Sequence, residues 1–338
     1  MSVRVRSLSK RFGAVTALDG VDLDLGADEL LVVLGPTGAG KTTLLRLLSG
    51  LDAPDAGTIR LGDRDAASLS PADRDVALVF QNFSLYGDRS VRENLAFPLR
   101  APGRKLDEAA IAERIAWAAR LLALGDHLDK PAAKLSGGQM QRVAIGRAIV
   151  RQPTLFLMDE PLTNLDAKLR EQLRVELAVL RRTLGIPMIY VTHDQAEALS
   201  MGDRVLVLDQ GRVLQVGTPE DIYVRPASPT VARLLGQPRI NLIAVRADAG
   251  RWRSDLGHDL GPATGASATL GIRPEHLIMT TGSDATVTLV EHLGPTRIVH
   301  LDWRGWTVQA LVPKDVRVTR GDRVHLSIDP GHVLAWSV

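Results

Sequence analysis

The chain has 338 residues, which corresponds to two domains at about 150 residues per domain. Lys and Arg total 41 and Asp and Glu total 39, so the formal net charge is +2. This near balance argues against a protein that coats nucleic acid, which would carry a basic stripe. The absence of Cys excludes disulfides, thiolate catalysis and Cys-ligated metals.

The sequence contains no segment that suits a bilayer. No apolar run approaches the roughly 18 residues of a membrane span. The first residues are basic but are followed by no apolar stretch of the kind found in signal peptides. We therefore expect a cytosolic protein that meets a membrane only through a partner.

Strand and helix patterns alternate up to about residue 235. Short apolar runs predict buried strands at 30–34, 76–80, 155–158, 188–191 and 205–208. Between them, apolar stripes at helical spacing comprise Ile111, Ile115, Ala118 and Leu122, and also Leu169, Leu173, Leu177, Leu180 and Leu184. This alternation predicts an α/β domain with a mostly parallel sheet that is covered on both faces.

The pattern changes after Pro238. Period-two segments then dominate, at 286–290, 297–302, 306–312 and 324–328. We predict an α/β domain at 1–237 and a small all-β, OB-like domain at 238–338. A hinge is expected within 223–229, followed by a short helix at 231–235.

A glycine-rich segment follows the predicted strand 30–34. It fits G-x-x-x-x-G-K-[ST] and consists of Gly35, Pro36, Thr37, Gly38, Ala39, Gly40, Lys41 and Thr42. Glycines let backbone N–H groups surround phosphate oxygens, and a helix that starts there adds a favourable dipole. Lys41 is expected to reach the β- and γ-phosphates and Thr42 to ligate Mg²⁺, with Thr43 as a further nucleotide contact. The alternative is a glycine-rich turn with a surface lysine.

Two carboxylates end the predicted strand 155–158. Asp159 is expected to face the Mg²⁺ shell, and Glu160 to polarise an attacking water. A solvated acidic turn is the alternative. His193 follows the predicted strand 188–191 and is a candidate contact for the γ-phosphate, with a structural histidine as the alternative.

A second phosphate-directed segment is predicted near residue 136. It runs through Leu135, Ser136, Gly137, Gly138 and Gln139, followed by a helical stretch to Ala148. This run resembles the signature motif of ABC-transporter ATPases. A Ser and two Gly at a helix start bring hydroxyl, backbone N–H and dipole to a phosphate. The resemblance implies that Ser136, Gly137, Gly138 and Gln139 contact the ATP held by the other subunit of a head-to-tail homodimer.

Further segments resemble motifs of the same family. Phe12 is similar to the aromatic residue that stacks on adenine, with a core Phe as the alternative. Gln81 resembles the Q-loop glutamine that contacts Mg²⁺ and water, and Asp166 belongs to a D-loop-like segment at the dimer interface. His193 resembles the switch histidine. The resemblance covers residues 3–217 and implies a P-loop ATPase with a helical subdomain that uses ATP and Mg²⁺.

The C-terminal part resembles the accessory β-domain of sugar-importer ATPases. The resemblance is carried by residues 271–276, which read GIRPEH, and by residues 241–243. The maltose-importer type has relatives for oligosaccharides, polyols and glycerol phosphates, and subunits for polyamines, iron or oxyanions also carry a β-domain. This implies a peripheral protein on the cytoplasmic face of the cell membrane. It would drive two permease subunits, act indirectly with an extracytoplasmic solute-binding protein and bind no nucleic acid.

One segment departs from the family pattern. Where relatives commonly read Tyr-Pro-His, this chain reads Tyr86-Gly87-Asp88, in the region that receives the coupling helix of the permease.

Two other classes of protein use a similar core. A soluble ATP-driven machine of translation or DNA repair usually carries two cores or a long coiled-coil insertion, and this chain has one core without such an insertion. A non-hydrolysing regulator would lack the catalytic carboxylate, whereas Glu160 is present. The solute stays open, because the permeases and the binding protein select it.

Overall fold

A computed structural model describes residues 2–101, 106–254, 259–263 and 265–337. Chain contacts divide the protein into two compact units, Met1–Pro219 and Glu220–Val338. The second unit thus begins earlier than the predicted domain boundary after residue 237. Within the described residues, no helix combines the length and the apolar character needed to cross a membrane.

The first unit is built from both strands and helices. Its strands are β1 (Val3–Phe12), β2 (Val15–Leu25), β3 (Leu30–Leu34), β4 (Ala56–Leu61), β5 (Arg64–Asp65), β6 (Val76–Val79), β7 (Leu155–Asp159), β8 (Met188–Thr192), β9 (Arg204–Asp209) and β10 (Arg212–Gly217). Its helices are α1 (Lys41–Ser49), α2 (Val91–Ala96), α3 (Glu108–Leu121), α4 (Gly137–Ile149), α5 (Ala167–Leu184) and α6 (Gln195–Met201).

The central sheet has the order β10-β9-β3-β8-β7-β6. Its strands from β9 to β6 pair in parallel, and β10 pairs antiparallel with β9 at the edge. Every residue of β3, β7 and β8 is buried, as expected for strands covered on both faces. The predicted α/β fold with a mostly parallel sheet is therefore confirmed. Because parallel strands end at the same edge, the loops after β3, β7 and β8 lie next to one another.

A second sheet in this unit was not predicted from the sequence. It is antiparallel, with the order β2-β1-β4-β5. Val3, Val5 and Leu8 of β1 are buried in the unit's core, while Arg4 and Arg6 are exposed. The pairing of β1 with β2 shifts register repeatedly, so the period-two pattern is broken along these long strands.

The second unit is mainly β structure. Its strands are β11 (Asn241–Asp248), β12 (Arg251–Ser254), β13 (Asp259–Pro262), β14 (Ser267–Ile272), β15 (Leu277–His292), β16 (Thr296–Trp303), β17 (Trp306–Pro313), β18 (Arg323–Ile328) and β19 (Leu334–Ser337). They form two antiparallel sheets, β13-β12-β11-β14-β19 and β17-β16-β15-β18, around a separate apolar core. The predicted all-β character of this region is confirmed.

Two short helices, α7 (Pro219–Val224) and α8 (Pro229–Arg233), precede these strands. Contacts within the second unit explain why its start lies before residue 237. The buried guanidinium of Arg273 donates to the carbonyl oxygens of Leu235 and Tyr223 and lies 3.5 Å from the centre of the Tyr223 ring. The indole N–H of Trp336 donates to the Pro226 carbonyl at 2.8 Å. The predicted hinge region is thus hydrogen-bonded to the β-domain.

Candidate nucleotide site

The glycine-rich segment joins the buried strand β3 to α1. Gly40 caps α1 in the left-handed region with φ of 103°, and no side chain caps this helix. A Cβ atom at Gly40 would lie 2.3 Å from the Ala17 carbonyl oxygen, so only glycine fits here. The predicted strand, loop and helix are all present. The start of α1 is directed as a phosphate-binding loop requires.

Lys41 lies at the start of α1 with only 5% of its surface exposed. Its ammonium group donates to the carbonyl oxygens of Gly35 at 2.9 Å and Pro36 at 3.0 Å. The Nζ atom also lies 3.2 Å from Oε1 of Glu160. The lysine is therefore a buried charge held inside the loop, and a surface lysine on a simple turn is excluded.

Asp159 ends β7 next to Thr42 of α1. The Thr42 hydroxyl donates to Oδ1 of Asp159 at 3.2 Å. Burial raises the pKa of the Asp159 carboxyl above its usual value, and the Thr42 hydrogen bond offsets part of that rise. The two side chains present a hydroxyl and a carboxylate oxygen side by side, which are the donor types that Mg²⁺ prefers.

Glu160 follows Asp159 and takes a left-handed backbone conformation, with φ of 44°. Such a conformation is costly for a residue other than glycine and is found most often at functional sites. Its Oε2 atom lies 2.9 Å from Nδ1 of His193 and accepts from the Thr163 hydroxyl at 3.3 Å. With the Lys41 contact at its other oxygen, Glu160 is the centre of a charged cluster at the ends of β7 and β8.

Lys41, Thr42 and Glu160 line one open cleft of about 500 Å³, whereas Asp159 is buried next to Thr42 and does not line it. The residues around it are Val15, Thr16, Ala17, Thr37, Gly38, Gly40, Lys41, Thr42, Thr43, Gln81, Glu160, Thr163 and His193. The cleft thus brings together most of the predicted loop residues with Gln81 and His193. Pro36 supplies a carbonyl to Lys41, and the Ala39 side chain is buried in the core instead.

Other predicted residues do not line this cleft. Phe12 ends β1 and is half exposed, with the Lys10 ammonium 5.4 Å from its ring centre. Ser136 caps α4, and Asp166 caps α5 by accepting from the Leu169 N–H at 2.9 Å. A core position for Phe12 is therefore excluded.

Gly137, Gly138 and Gln139 form the first turn of α4. The Ser136 hydroxyl accepts from the Gln139 N–H at 3.4 Å, and Oε1 of Gln139 accepts from the Ser136 N–H at 3.0 Å. This reciprocal pair is a capping box. Added Cβ atoms at Gly137 and Gly138 would lie 3.1 and 2.8 Å from Leu165 and Leu169, so both glycines allow close packing against the D-loop and α5.

Sequence reasoning missed several residues around the cleft. The Thr163 hydroxyl donates a hydrogen bond to Glu160. The sequence does contain a signal for this contact, because Thr163 lies three residues after Glu160. Val15, Thr16 and Ala17 come from β2, whose approach to the cleft depends on the sheet that was not predicted. Glu197 is buried behind His193, and nothing in its local sequence distinguishes it from a surface helix residue.

Comparison with known proteins adds close relatives over nearly the whole chain. The chain is 43% identical over 335 residues to an sn-glycerol-3-phosphate import ATP-binding protein of a Ruegeria species, an alignment that covers 97% of this chain and 95% of the relative. The chain belongs to the ABC transporter family. Within that family it is an ATP-binding importer subunit with ATPase activity and a C-terminal accessory domain, as the sequence predicted.

Further matches agree with this assignment. The ABC transporter family matches residues 18–163 and the TOBE domain family matches residues 270–336. A sulfoquinovosyl glycerol transport ATP-binding protein of Agrobacterium fabrum is 40% identical, with 98% of this chain and 96% of the relative covered. A solved ATP-binding cassette of an ABC transporter in its ADP conformation superposes with a TM-score of 0.62 and 25% identity, covering 68% of this chain and 98% of that one.

Proposed function

We propose that this ATPase hydrolyses ATP in the cleft between β3, β7 and β8. The observation that carries the proposal is the cluster of Lys41, Glu160 and His193 beside the Thr42–Asp159 pair. Lys41 exchanges its carbonyl partners for the β- and γ-phosphates, which the backbone from Gly35 to Thr43 surrounds. Phe12 stacks on adenine from the end of β1.

A magnesium ion fits the donor set at the end of β7. Thr42 and Asp159 would hold it, with the side chain of Gln81, which also lines the cleft, as a further oxygen ligand. When bound, Mg²⁺ neutralises charge that develops on the phosphate oxygens. Release of Lys41 from Glu160 leaves that carboxylate free to orient and deprotonate an attacking water. His193 lies at hydrogen-bond distance from Glu160 and aligns it with the γ-phosphate.

The second half of each site comes from another copy of the chain. Ser136, Gly137, Gly138 and Gln139 would close on ATP bound by the partner subunit in a head-to-tail homodimer, with Asp166 near the interface. The family membership supports this arrangement. So does the position of these residues outside the cleft of their own chain.

The protein would work on the cytoplasmic face of the cell membrane with two permease subunits. A groove of about 320 Å³ beside the Q-loop suits a coupling helix, since it is lined by Tyr86, Phe97 and the partly buried side chain of Arg147. Gly87 accepts from the Ala133 N–H at 3.0 Å, so the unusual Tyr86-Gly87-Asp88 segment is anchored.

The solute is proposed to be a glycerol phosphate or a related carbohydrate or polyol. Relatives are named for import of sn-glycerol-3-phosphate and for transport of sulfoquinovosyl glycerol, and glycerol is common to both names. An extracytoplasmic solute-binding protein would present the solute to the permeases, so this subunit would act on it only indirectly. Nucleic acid has no part in this function.

The ATPase proposal is tested by Lys41→Ala with Lys314→Ala, an exposed lysine of the second unit, as the control. Loss of charge-assisted phosphate contacts should weaken ATP binding roughly ten- to a hundredfold. Equal ATP affinity of both variants would contradict the proposed nucleotide site.

A second experiment tests the solute. The ATPase activity of the complex reconstituted with its permeases should be stimulated by binding protein loaded with sn-glycerol-3-phosphate. Stimulation only by a polyamine, iron or an oxyanion would contradict the solute class.

A further inference from the structure

A hydrogen-bonded network lies directly behind His193. Its centre is the Glu197 carboxylate on α6, with only 4% of the residue exposed. Oε2 of Glu197 accepts from the Tyr190 hydroxyl at 3.0 Å and from the Thr192 hydroxyl at 2.6 Å. Both donors belong to β8, so one buried carboxylate joins α6 to the end of the strand that leads into His193.

The network continues into the backbone on the far side of His193. The Thr192 hydroxyl accepts from the Asp194 N–H at 2.9 Å. Asp194 caps α6, because its Oδ1 accepts from the N–H groups of Ala196 at 2.7 Å and Glu197 at 3.2 Å. The residues before and after His193 are thus held by hydrogen bonds, while the imidazole extends toward Glu160 at 2.9 Å.

We infer that Glu197 is a positioning residue for ATP hydrolysis, which acts through Thr192 to hold the His193 imidazole against Glu160. This inference rests on the proposed roles of His193 and Glu160. Glu197 itself does not line the nucleotide cleft. Its effect is therefore on the geometry of the reacting groups rather than on nucleotide contact.

The choice of a carboxylate at this buried position supports the inference. Burial raises the pKa of Glu197 above its usual value, and the hydrogen bonds from Thr192 and Tyr190 lower it in part. An apolar side chain of similar volume would avoid that desolvation cost. What such a side chain lacks is an acceptor that fixes the Thr192 hydroxyl, and with it the turn that carries His193.

The first test compares Thr192→Val with Thr192→Ser. Valine keeps the shape and strand preference of threonine but removes the hydroxyl, whereas serine keeps the hydroxyl. Thr192→Val should lower kcat about tenfold, the loss expected for one buried hydrogen bond, with KM for ATP within about twofold. Thr192→Ser should restore most of kcat. Thr183→Val is the matched control, since the Thr183 hydroxyl bonds only to a carbonyl of its own helix, at 3.2 Å.

The second test places Thr192→Val and Glu197→Gln in a His193→Ala background. If the network acts through His193, the loss of kcat caused by each substitution should disappear when the imidazole is absent. A double-mutant cycle measures this by comparing each substitution with and without His193→Ala. Losses that persist undiminished without the imidazole, or a Thr192→Val enzyme with wild-type kcat, would overturn the inference. A His193→Ala enzyme with wild-type turnover would instead overturn the proposed role of His193. Thermal unfolding of each variant identifies any that fails to fold. In that case the kcat values of Thr192→Ser and Tyr190→Phe are compared instead.

Discussion

The chain contains two helix starts that we propose to bind phosphate, and their caps are built in opposite ways. At α1 the cap is Gly40, and no side chain occupies the N–H groups of the first turn. At α4 the cap is Ser136, which exchanges hydrogen bonds with Gln139. The start of α1 can therefore accept a phosphate as it stands. If the start of α4 binds phosphate through the same groups, as proposed, it must give up its own cap first, at a cost of about 1 kcal/mol.

Gln139 is held by a second contact as well. Its Nε2 atom lies 2.9 Å from Nε2 of His127, in the segment just before α4. This difference suits the different roles that we propose for the two helix starts. The first would bind nucleotide within a single chain, and the second would engage only when a partner supplies enough contacts to replace the cap.

The largest expected effect comes from blocking hydrolysis, which separates ATP binding at α1 from closure of the dimer at α4. Glu160→Gln keeps the shape of the side chain and removes its basicity, so hydrolysis should fall about 10²- to 10⁴-fold. ATP should still bind at α1. An ATP-bound dimer should accumulate, because the ATP that α4 of the partner chain contacts is no longer hydrolysed. ATPase assays and size-exclusion chromatography measure the two outcomes. The control is Glu108→Gln, a change at an exposed glutamate at the start of α3. Near wild-type turnover of Glu160→Gln would remove Glu160 from its assigned role.

A mixed dimer tests whether the two helix starts act in different chains. One chain carries Lys41→Ala and the other Ser136→Arg, both with Glu160→Gln to hold ATP. Each homodimer has two defective sites, whereas the mixed dimer has one intact site, built from Lys41 of one chain and Ser136 of the other. Mixing should therefore restore ATP-dependent dimerisation.

The readout is dimer formation by light scattering with and without ATP. If both motifs served one site within a single chain, each chain would retain its own defect and mixing would restore nothing. That result, with the Glu160→Gln parent dimerising normally, would reject the contrast between α1 and α4.

A smaller effect is expected from glycine substitutions in the loop before α1. Gly40→Ala brings a Cβ atom within 2.3 Å of the Ala17 carbonyl oxygen, so the free energy of unfolding should fall by about 2–3 kcal/mol. Gly38→Ala is the matched variant. A Cβ there meets no atom within 4 Å, and with φ of 83° the cost to folding should be nearer 1 kcal/mol. Because Gly38 lines the cleft, its variant should lose more ATP affinity than its stability loss accounts for. Equal losses of stability in a urea titration would contradict this distinction.

The sequence predicts the α1 side of the comparison better than the α4 side. Asp159, Glu160 and His193 could be expected to meet Lys41, because the strands before them are apolar and the carboxyl ends of parallel strands share one edge. The spacing of Ser136 and Gln139 displays a capping box, yet phosphate binding was the only role inferred from it. The spacing of residues along the sequence could not reveal which distant residues the long side chains contact. The Lys41–Glu160 contact, the buried Glu197 and the approach of Val15–Ala17 all depend on packing between segments far apart in the chain.

The smallest expected effect concerns the cap of α4. Ser136→Ala removes the hydroxyl that accepts from the Gln139 N–H, so the nucleotide-free chain should lose about 1 kcal/mol of stability, whereas Ser136→Gly should lose only a few tenths. Hydrogen exchange is the sharper measurement, because it reports this amide directly. Exchange at Gln139 should accelerate about fivefold in Ser136→Ala, while the amides of α1 keep their wild-type rates. If Gln139 exchanges as fast in the wild type as in Ser136→Ala, the start of α4 is as open as that of α1. Binding of α4 to the partner's nucleotide would then require no loss of capping hydrogen bonds. The two helix starts would differ only in whether they contact the nucleotide of their own chain or that of the partner.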